Sequence, residues 1–509
     1  MAEFDLAIIG GGINGAGLAR DAAGRGLRVL LVEQNDLASG TSSASTKLIH
    51  GGLRYLELGA VRLVREALAE REVLLRMAPH IVRPMRFVLP HHEGLRAAWQ
   101  LRAGLFVYDR LAGRDVLPAS CALDLSAGAV GVPLKRAYRQ GFAYSDCWVD
   151  DARLVVLNAM DAAERGAVVR TRTRCARGER VDGEWRLVLT HRGNREEVTA
   201  RVLVNAAGPW VRQVSETVLR LKSPSRLRLV KGSHIILRKL FDHDHAYIFQ
   251  NADGRIVFAI PYEREFTLVG TTDIDFTGDP GVVAATDREI LYLCASVGAY
   301  FRADIHPENV VRTFAGVRAL YDDGSARAKD TTRDYELELT GGPREAPLLT
   351  IYGGKITTYR RLAEAAVARI ARVFSDRAPW TANAPLPGGD FPWDGGEALV
   401  ARLRGLWPFL TEAHARRLVS AYGTRADRVL GDARRMEDLG SRFGPDLTER
   451  ELRYLMRHEW AQTAEDALWR RSKLALHLSQ DEQDAVARFM AGDESALAAV
   501  LPVGGTAIT

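Results

Sequence analysis

Apolar and polar residues follow the order of a β–α–β unit over residues 4–33. Residues 4–9 form a short apolar run, residues 16–25 an alanine-rich helical stretch, and residues 28–32 a second apolar run. Short apolar runs bounded by glycine are typical of parallel strands that are buried on both faces. The pattern therefore predicts an α/β domain at the start of the chain.

Later apolar runs extend this picture in two ways. Residues 202–208 and 348–354 each end a buried strand in glycine, and we expect both strands to join the N-terminal sheet. A period of two predicts a separate antiparallel sheet, which would cover the first, from strands at residues 227–237, 246–250, 256–260 and 266–272. Helical periodicity predicts helices at residues 59–77, 94–111 and 286–301 and a mainly helical region beyond residue 397.

The glycines after the first strand have the spacing Gly10-x-Gly12-x-x-Gly15 of a dinucleotide-binding loop. The first glycine permits a tight turn, the second lets the backbone approach a pyrophosphate, and the third allows close packing of helix on strand. Glu33 follows the second strand, where it can accept hydrogen bonds from a ribose. This loop by itself suits NAD as well as FAD.

A polar loop then provides many hydrogen-bond donors. Five hydroxyl residues lie within residues 41–46, followed by Lys47, and His50-Gly51-Gly52 places an imidazole beside two glycines. Such a loop could hold diphosphate and ribityl oxygens. Together with the two later glycine-bearing strand ends, it predicts a cofactor that stays bound along its length, which favours FAD.

Composition limits the class of protein. The 509 residues are 47% hydrophobic and 26% charged, with a net charge of +5, which is typical of a soluble protein of two or three domains. No basic run interleaved with aromatic residues indicates nucleic-acid binding, and no spacing indicates a metal site. The four cysteines are scattered, as expected of reduced cytosolic thiols. We find no signal peptide and no apolar run long enough to span a bilayer.

Residues 3–390 resemble the FAD-dependent respiratory glycerol-3-phosphate dehydrogenases of bacteria, and the helical tail does so more loosely. The resemblance depends on blocks at residues 8–15, 41–57, 144–154, 231–234 and 353–360. It implies FAD, oxidation of sn-glycerol 3-phosphate to dihydroxyacetone phosphate, and electron delivery to membrane quinone. It also implies an α/β fold: a discontinuous Rossmann-like FAD-binding domain, an antiparallel β-sheet substrate or cap domain as in glycine oxidases, and an all-α C-terminal domain.

On this basis we predict the domain boundaries. The FAD-binding domain is expected at residues 1–80, 145–222 and 310–376, and the cap domain at 81–144 and 223–309. A proline- and glycine-rich linker at 377–393 would lead to the helical domain at 394–509. No calcium-binding DxDxDG loop is present, so the calcium regulation of the mitochondrial relatives is not expected.

The predicted cofactor-binding residues come from the glycine-bearing turns and the polar loop. They are Gly10, Gly12, Ile13, Asn14, Gly15, Glu33, Thr41, Ser42, Ser45, Lys47, Leu48, His50, Gly51, Gly52, Cys175, Ala207, Gly208, Trp210, Arg318, Gly354, Lys355, Ile356 and Thr357.

A phosphate dianion requires a cationic clamp, for which arginine has a suitable planar fork. The predicted substrate-binding residues are Arg54, Tyr55, His234, Thr271, Arg318, Arg333 and Lys355. Removal of the C2 hydroxyl proton favours a histidine, with His50 as the first candidate base and His234 as the second. A neutral, structural histidine remains an alternative at both positions. Arg318 stays protonated and would stabilise a developing alkoxide.

The helix predicted at residues 94–111 presents Trp99 and Phe106 at helical spacing, with arginines beside them. This stripe could pack on another domain or lie in a membrane interface, which quinone reduction would require. We therefore expect a cytoplasmic protein bound peripherally to the inner membrane, and a homodimer is compatible with the sequence. Alternatives are a glycerol-3-phosphate oxidase that uses O₂, another flavin-dependent amine or hydroxy-acid oxidoreductase, and a flavin-bound sensor or interaction protein.

Overall fold

A computed structural model describes residues 2–57, 59–92, 95–111, 116–222, 227–322, 334–342, 345–374 and 378–492. The strands are β1 (Phe4–Ile9), β2 (Val29–Val32), β3 (Leu48–Ile49), β4 (Val82–His91), β5 (Cys121–Asp124), β6 (Gln140–Val149), β7 (Val168–Arg170), β8 (Thr173–Val181), β9 (Glu184–His191), β10 (Asn194–Asn205), β11 (Leu227–Arg238), β12 (Ala246–Gln250), β13 (Ile256–Tyr262), β14 (Phe266–Gly270), β15 (Ile274–Asp275), β16 (Val310–Tyr321), β17 (Tyr335–Thr340) and β18 (Leu348–Gly353).

The helices cover the sheets and form the C-terminal region. They are α1 (Ile13–Gly24), α2 (Arg54–Glu57), α3 (Val61–Met77), α4 (Ala98–Arg110), α5 (Asp151–Glu164), α6 (Val211–Gln213), α7 (Asp287–Gly298), α8 (Tyr359–Ile370), α9 (Gly396–Leu406), α10 (Glu412–Tyr422), α11 (Ala426–Leu430), α12 (Glu449–His458) and α13 (Gln480–Gly492).

The first sheet contains the parallel strands that the glycine-bearing runs predicted. Its order is β17-β18-β10-β1-β2-β7, with β8 and β9 attached at β10. Leu31, Ile8, Val204 and Leu349 lie side by side on β2, β1, β10 and β18, and all four are fully buried. Helix α1 contacts β1 and β2 of this sheet and packs against helices α5 and α8. Helices thus cover this sheet, as expected of strands whose residues are continuously apolar.

The second sheet is mainly antiparallel, and its strand β16 contacts β17 and β18 of the first sheet. Its order is β15-β11-β14-β13-β12-β4-β6-β3, with β16 paired to β11 and β5 to β6. The α/β fold with a separate cap sheet and a helical C-terminal region is as expected. Among the described residues, none of the helices combines the length and apolarity that crossing a bilayer requires.

Three strands of the second sheet, β3, β6 and β16, lie wholly or partly in residues that we expected in the FAD-binding domain. Residues 310–321 were assigned to the FAD-binding domain, but β16 pairs with β11 along its length in the cap sheet. Strand β6 likewise continues in the cap sheet to Val149, past the boundary expected at residue 145. Period-two alternation identifies a strand but does not identify its partner, since partners distant in sequence are chosen by packing.

Candidate active site

A cavity of about 1160 Å³ lies between the carboxyl ends of the parallel strands and the cap sheet. This is the edge at which open α/β sheets bind ligands. The cavity brings together most of the predicted site residues, namely Gly10, Gly12, Ile13, Asn14, Glu33, Thr41, Ser42, Ser45, Lys47, Leu48, His50, Gly52, Arg54, Tyr55, Cys175, Ala207, Gly208, Trp210, Thr271, Arg318, Gly354, Lys355, Ile356 and Thr357.

The opening loop requires its glycines. Gly10 has φ +116°, and a Cβ there would lie 2.5 Å from the carbonyl oxygen of Ala206. A Cβ on Gly15 would lie 1.9 Å from the carbonyl oxygen of Gly10, so α1 approaches β1 only because residue 15 lacks a side chain. The loop therefore has the turn and the close helix packing that its spacing predicts.

The N-terminus of α1 is open to an anion. Its N-cap is Gly12, which provides no side-chain cap of its own. Ser42 Oγ accepts a hydrogen bond from the Ile13 N–H at 3.0 Å, which places residues 41–46, here called the hydroxyl loop, directly beside this terminus. Free N–H groups and the helix dipole favour negative charge there.

Glu33 and Asn14 shape the loop from two sides. Glu33 Oε2 accepts a hydrogen bond from the Gly11 N–H at 2.7 Å, and burial raises the pKa of this carboxyl group. Asn14 Nδ2 donates to the carbonyl oxygen of Gly353 at 3.1 Å, which ties the first glycine turn to the third. Asn14 Oδ1 is buried and has no hydrogen-bond partner among the described residues. A polar ligand in the cavity would satisfy it.

The hydroxyl loop depends on Asp151, which the sequence analysis did not single out. Asp151 Oδ1 accepts a hydrogen bond from Lys47 Nζ at 2.6 Å, and Oδ2 accepts one from Ser45 Oγ at 2.7 Å. Both members of the Lys47–Asp151 pair are almost fully buried. The charge of Lys47 is therefore compensated within the protein, and the pair joins this loop to the start of α5.

His50 lines the cavity, and buried hydrogen bonds hold the turn on which it lies. Its backbone N–H donates to Thr357 Oγ1 at 3.3 Å. Burial, and then the nearby charge of Lys355, lower the pKa of His50 to about 3. The following residue, Gly51, donates its N–H to the Tyr108 hydroxyl at 2.9 Å, and Tyr108 donates in turn to Asp146. The imidazole is thus neutral and held on a supported turn.

The predicted cations reach the cavity from separate parts of the fold. Arg318 on β16 donates from Nη1 to Asp273 Oδ1 at 2.6 Å and from Nη2 to Thr271 Oγ1 at 3.3 Å. Lys355 Nζ lies 3.9 Å from the centre of the Tyr55 ring. Arg54 begins α2 and also lines the cavity. Arg333 lies outside the described residues.

Residues 5–360 match the family described as FAD-dependent oxidoreductases. The chain belongs to this family. Residues 379–493 match a second family, described as the C-terminal domain of alpha-glycerophosphate oxidase. The expected cofactor, FAD, and the expected enzyme class are therefore confirmed.

Two relatives illustrate the range of substrates within this similarity. A glycerol-3-phosphate dehydrogenase of Pseudomonas aeruginosa is 53% identical over 489 residues, which cover 96% of this chain and 95% of that protein. A D-erythritol 1-phosphate dehydrogenase of Brucella abortus is 50% identical over 487 residues, which cover 94% of this chain and 96% of that protein. The resemblance to the FAD-dependent glycerol-3-phosphate dehydrogenases is thus confirmed at the level of the family.

Solved structures support the fold. A glycerol-3-phosphate dehydrogenase from Bacillus halodurans in complex with FAD is 27% identical, with a TM-score of 0.74 over 99% of this chain and 97% of that chain. A glycine oxidase from Geobacillus kaustophilus is 20% identical, with a TM-score of 0.52 over 76% of this chain and 99% of that chain. The expected glycine-oxidase-like arrangement is confirmed.

The residues of this FAD oxidoreductase fit the cofactor at the strand ends. The glycine turns leave room for a close approach of the cofactor to the backbone, and the N-terminus of α1 suits a diphosphate. A polar atom of the cofactor would satisfy Asn14 Oδ1. Gly15 and Gly51 do not border the cavity; they act through packing and through the hydrogen bond to Tyr108.

His234 is not among the described residues that line the cavity, and it lies behind the cavity wall. It is fully buried, its Nε2 lies 3.0 Å from Thr46 Oγ1, and its ring stacks on Phe314 at 4.7 Å. Burial, reinforced by Arg318 and Lys47, lowers its pKa well below the usual range. This placement favours the structural alternative for His234, which would support the loop through Thr46.

The C-terminal domain contributes to the cavity, which the sequence analysis missed. Glu465, Trp469, Arg470 and Lys473 line it, and the Arg312 guanidinium lies 3.5 Å from the centre of the Trp469 ring. Asp273, the partner of Arg318, was also missed. No motif marks these residues, because their role depends on contacts between distant segments.

Proposed function

We propose that this enzyme oxidises sn-glycerol 3-phosphate to dihydroxyacetone phosphate and passes the electrons to membrane quinone. The observation that carries the proposal is the set of three cationic side chains, Arg54, Arg318 and Lys355, on the wall of the cofactor cavity. A phosphate dianion is the ligand that such a set suits. Relatives of about half identity that act on a polyol phosphate support the same substrate class.

Arg318 and Lys355 would bind the substrate in different ways. Asp273 orients the Arg318 guanidinium through Nη1, while Nη2 points to Thr271. The planar fork can therefore present a fixed edge to a phosphate or to the C2 oxygen. Lys355 lies over the Tyr55 ring and supplies a compact positive charge. Its attraction for a phosphate depends less on direction than that of a guanidinium group.

FAD, when bound, accepts the hydride that leaves C2 of the substrate. The C2 hydroxyl proton must leave with it, and the neutral imidazole of His50 offers a lone pair to receive this proton. The imidazole stays neutral above about pH 3, because burial and Lys355 disfavour its charged form. A phosphate dianion held beside Lys355 would offset that charge and so raise the pKa of His50 while substrate is bound.

An anaerobic titration tests the cofactor and substrate together. Glycerol 3-phosphate should bleach the flavin absorbance of the purified protein, and ubiquinone should restore it. Glycerol and inorganic phosphate, alone or combined, serve as controls and should leave the spectrum unchanged. Absence of bleaching by glycerol 3-phosphate would contradict the proposal.

A four-carbon substrate is the second candidate, because one relative of 50% identity acts on D-erythritol 1-phosphate. Both substrates carry the phosphate that the cations would bind, so the cavity chemistry alone does not separate them. The ratio of kcat/KM for the two compounds decides between them. Peroxide yield under air separately tests the oxidase alternative, which the dehydrogenase relatives do not favour.

Helix α4 is our candidate for the membrane contact. Trp99 and Phe106 are 71% and 54% exposed, so neither ring is packed away against the described part of this chain. The Arg110 guanidinium lies over the Phe106 ring, while Gln100 and Gly104 on the same helix line the cavity. A helix with aromatic and cationic side chains suits an anionic lipid surface. The face of α4 that carries Gln100 and Gly104 borders the cavity in which the flavin would bind.

The double substitution Trp99→Glu/Phe106→Glu should abolish binding to phosphatidylglycerol vesicles and lower quinone reduction about 10-fold or more. Glutamate removes the apolar contact and repels anionic lipid. Reduction of a soluble dye should stay normal, since the flavin site is unchanged. Co-sedimentation with vesicles and the two activities provide the measurement.

Leu291→Glu/Leu406→Glu is the matched control, because these leucines are 56% and 55% exposed elsewhere on the surface. It should bind vesicles normally. Normal vesicle binding by the α4 variant would contradict the assignment, as would a change in its oligomeric state in sedimentation velocity, which would indicate a protein interface instead.

A further inference from the structure

The C-terminal domain contacts the loop that follows β2. We call residues 33–38 the Asp36 loop; its residues Glu33, Gln34, Asn35 and Ala38 line the cofactor cavity. Asp36 itself is 1% exposed, so its carboxylate requires partners inside the protein. Among the described residues, the side chains that donate to this carboxylate belong to the C-terminal domain, more than 430 residues further along the chain.

Two adjacent arginines satisfy this carboxylate. Arg471 donates from Nη1 to Asp36 Oδ2 at 2.7 Å and from Nη2 to Oδ1 at 2.8 Å, which forms a bidentate pair. Arg470 adds a hydrogen bond from Nε to Oδ2 at 2.7 Å and also lines the cavity. Arg471 is fully buried and donates in addition to the carbonyl oxygen of Glu459. Buried bidentate pairs of this kind fix geometry strongly.

The Asp36 loop is tied directly to the dinucleotide loop. Glu33 accepts the Gly11 N–H at 2.7 Å, and the Ala38 N–H donates to the Gly11 carbonyl oxygen at 3.1 Å. Asp36 lies between these two attachments. A displacement of Asp36 would therefore move both contacts to Gly11, next to the open N-terminus of α1.

The same C-terminal segment has two further attachments near the cofactor cavity. Asp466 accepts hydrogen bonds from Arg172 at 2.8 Å, and Arg172 donates its own N–H to the Asn35 carbonyl oxygen. Lys473 Nζ donates to Asp150 at 3.3 Å, beside the Asp151 carboxylate that holds the hydroxyl loop. The segment thus contacts the Asp36 loop directly and reaches the hydroxyl loop through the residue next to Asp151.

We propose that the C-terminal domain is part of the FAD-binding site, and that its Arg470-Arg471 pair, acting through Asp36, retains the cofactor. Docking of this domain and FAD binding are then coupled. By linkage, FAD binding stabilises the docked domain by the same factor by which docking strengthens FAD binding. Arg471 is a positioning residue in this proposal, since it acts through the Asp36 loop.

Arg471→Met tests the coupling because it keeps most of the side-chain volume and removes the bidentate pair. FAD release from the diluted holoenzyme, followed by the recovery of flavin fluorescence, should become at least about 10-fold faster. Hydrogen exchange of residues 33–47 should also increase.

Arg417→Met is the matched control. Arg417 forms a buried pair with Glu451 at 2.6 Å, but this pair lies wholly within the C-terminal domain. The control should lower Tm and release FAD at close to the wild-type rate. Wild-type release by Arg471→Met, or equally fast release by both variants, would overturn the proposal.

Asp36→Asn provides a second test if Arg471→Met does not fold. It retains one acceptor oxygen and removes the charge, so we expect a smaller acceleration of FAD release, about threefold or more. An unchanged release rate in this variant would also overturn the proposal.

Discussion

Replacing His50 with glutamine is expected to slow reduction of the bound flavin by glycerol 3-phosphate about 100-fold or more. Glutamine can keep hydrogen-bond contacts but cannot accept the C2 hydroxyl proton. FAD content should be unchanged, because His50 is joined to its neighbours chiefly through backbone contacts such as that with Thr357. Anaerobic stopped-flow absorbance measures the reduction step directly.

The chain offers a matched control for this substitution. Burial also lowers the pKa of His80 to about 3, but His80 lies beside Phe391, away from the cavity. His80→Gln should reduce flavin at the normal rate. Normal reduction by His50→Gln, combined with slow reduction by His234→Gln, would reverse our order of candidate bases.

Replacing Arg318 with methionine should raise KM for glycerol 3-phosphate about 100-fold, with FAD retained. The loss corresponds to about 3 kcal/mol, as expected for hydrogen bonds between a fixed guanidinium and a dianion. The Asp273 carboxylate loses its ion pair with Arg318 in this variant, and its negative charge should further repel the phosphate. Steady-state kinetics with a soluble dye acceptor and the flavin-to-protein ratio measure both effects.

Arg228→Met is the control for Arg318→Met. Arg228 pairs with Asp275 at 2.6 Å on the same cap sheet but does not line the cavity, so its loss should leave KM within about twofold of wild type, as for a surface ion pair. An unchanged KM in Arg318→Met would remove this residue from the phosphate clamp. Arg333 keeps its predicted role, as it lies outside the described residues.

The cofactor edge could be predicted in detail because its requirements are local. A strand, a tight turn and a helix terminus follow one another in sequence, so Gly10 and Gly15 carry the geometry in their spacing. The same reasoning applies to the His50-Gly51-Gly52 turn. These residues were identified without knowledge of any distant contact.

Prediction was weaker where a residue acts through a distant partner. Lys47 was expected to bind cofactor, and its buried pair with Asp151 emerges only from the fold. His234 was a candidate base, yet burial behind Thr46 favours a structural role. A sequence lists charges and rings, but desolvation and pairing depend on what surrounds them.

The sequence by itself determined the α/β class, the FAD-binding edge and a set of residues of which most line the cavity, because apolar periodicity and glycine spacing reflect local backbone geometry. Only the tertiary structure decided that β16 belongs to the cap sheet and that Asp273 orients Arg318. It also decided that Arg471 reaches Asp36 across the chain. These pairings are long-range: the backbone of β16 and the side chains of Arg318 and Arg471 meet their partners only in the folded chain.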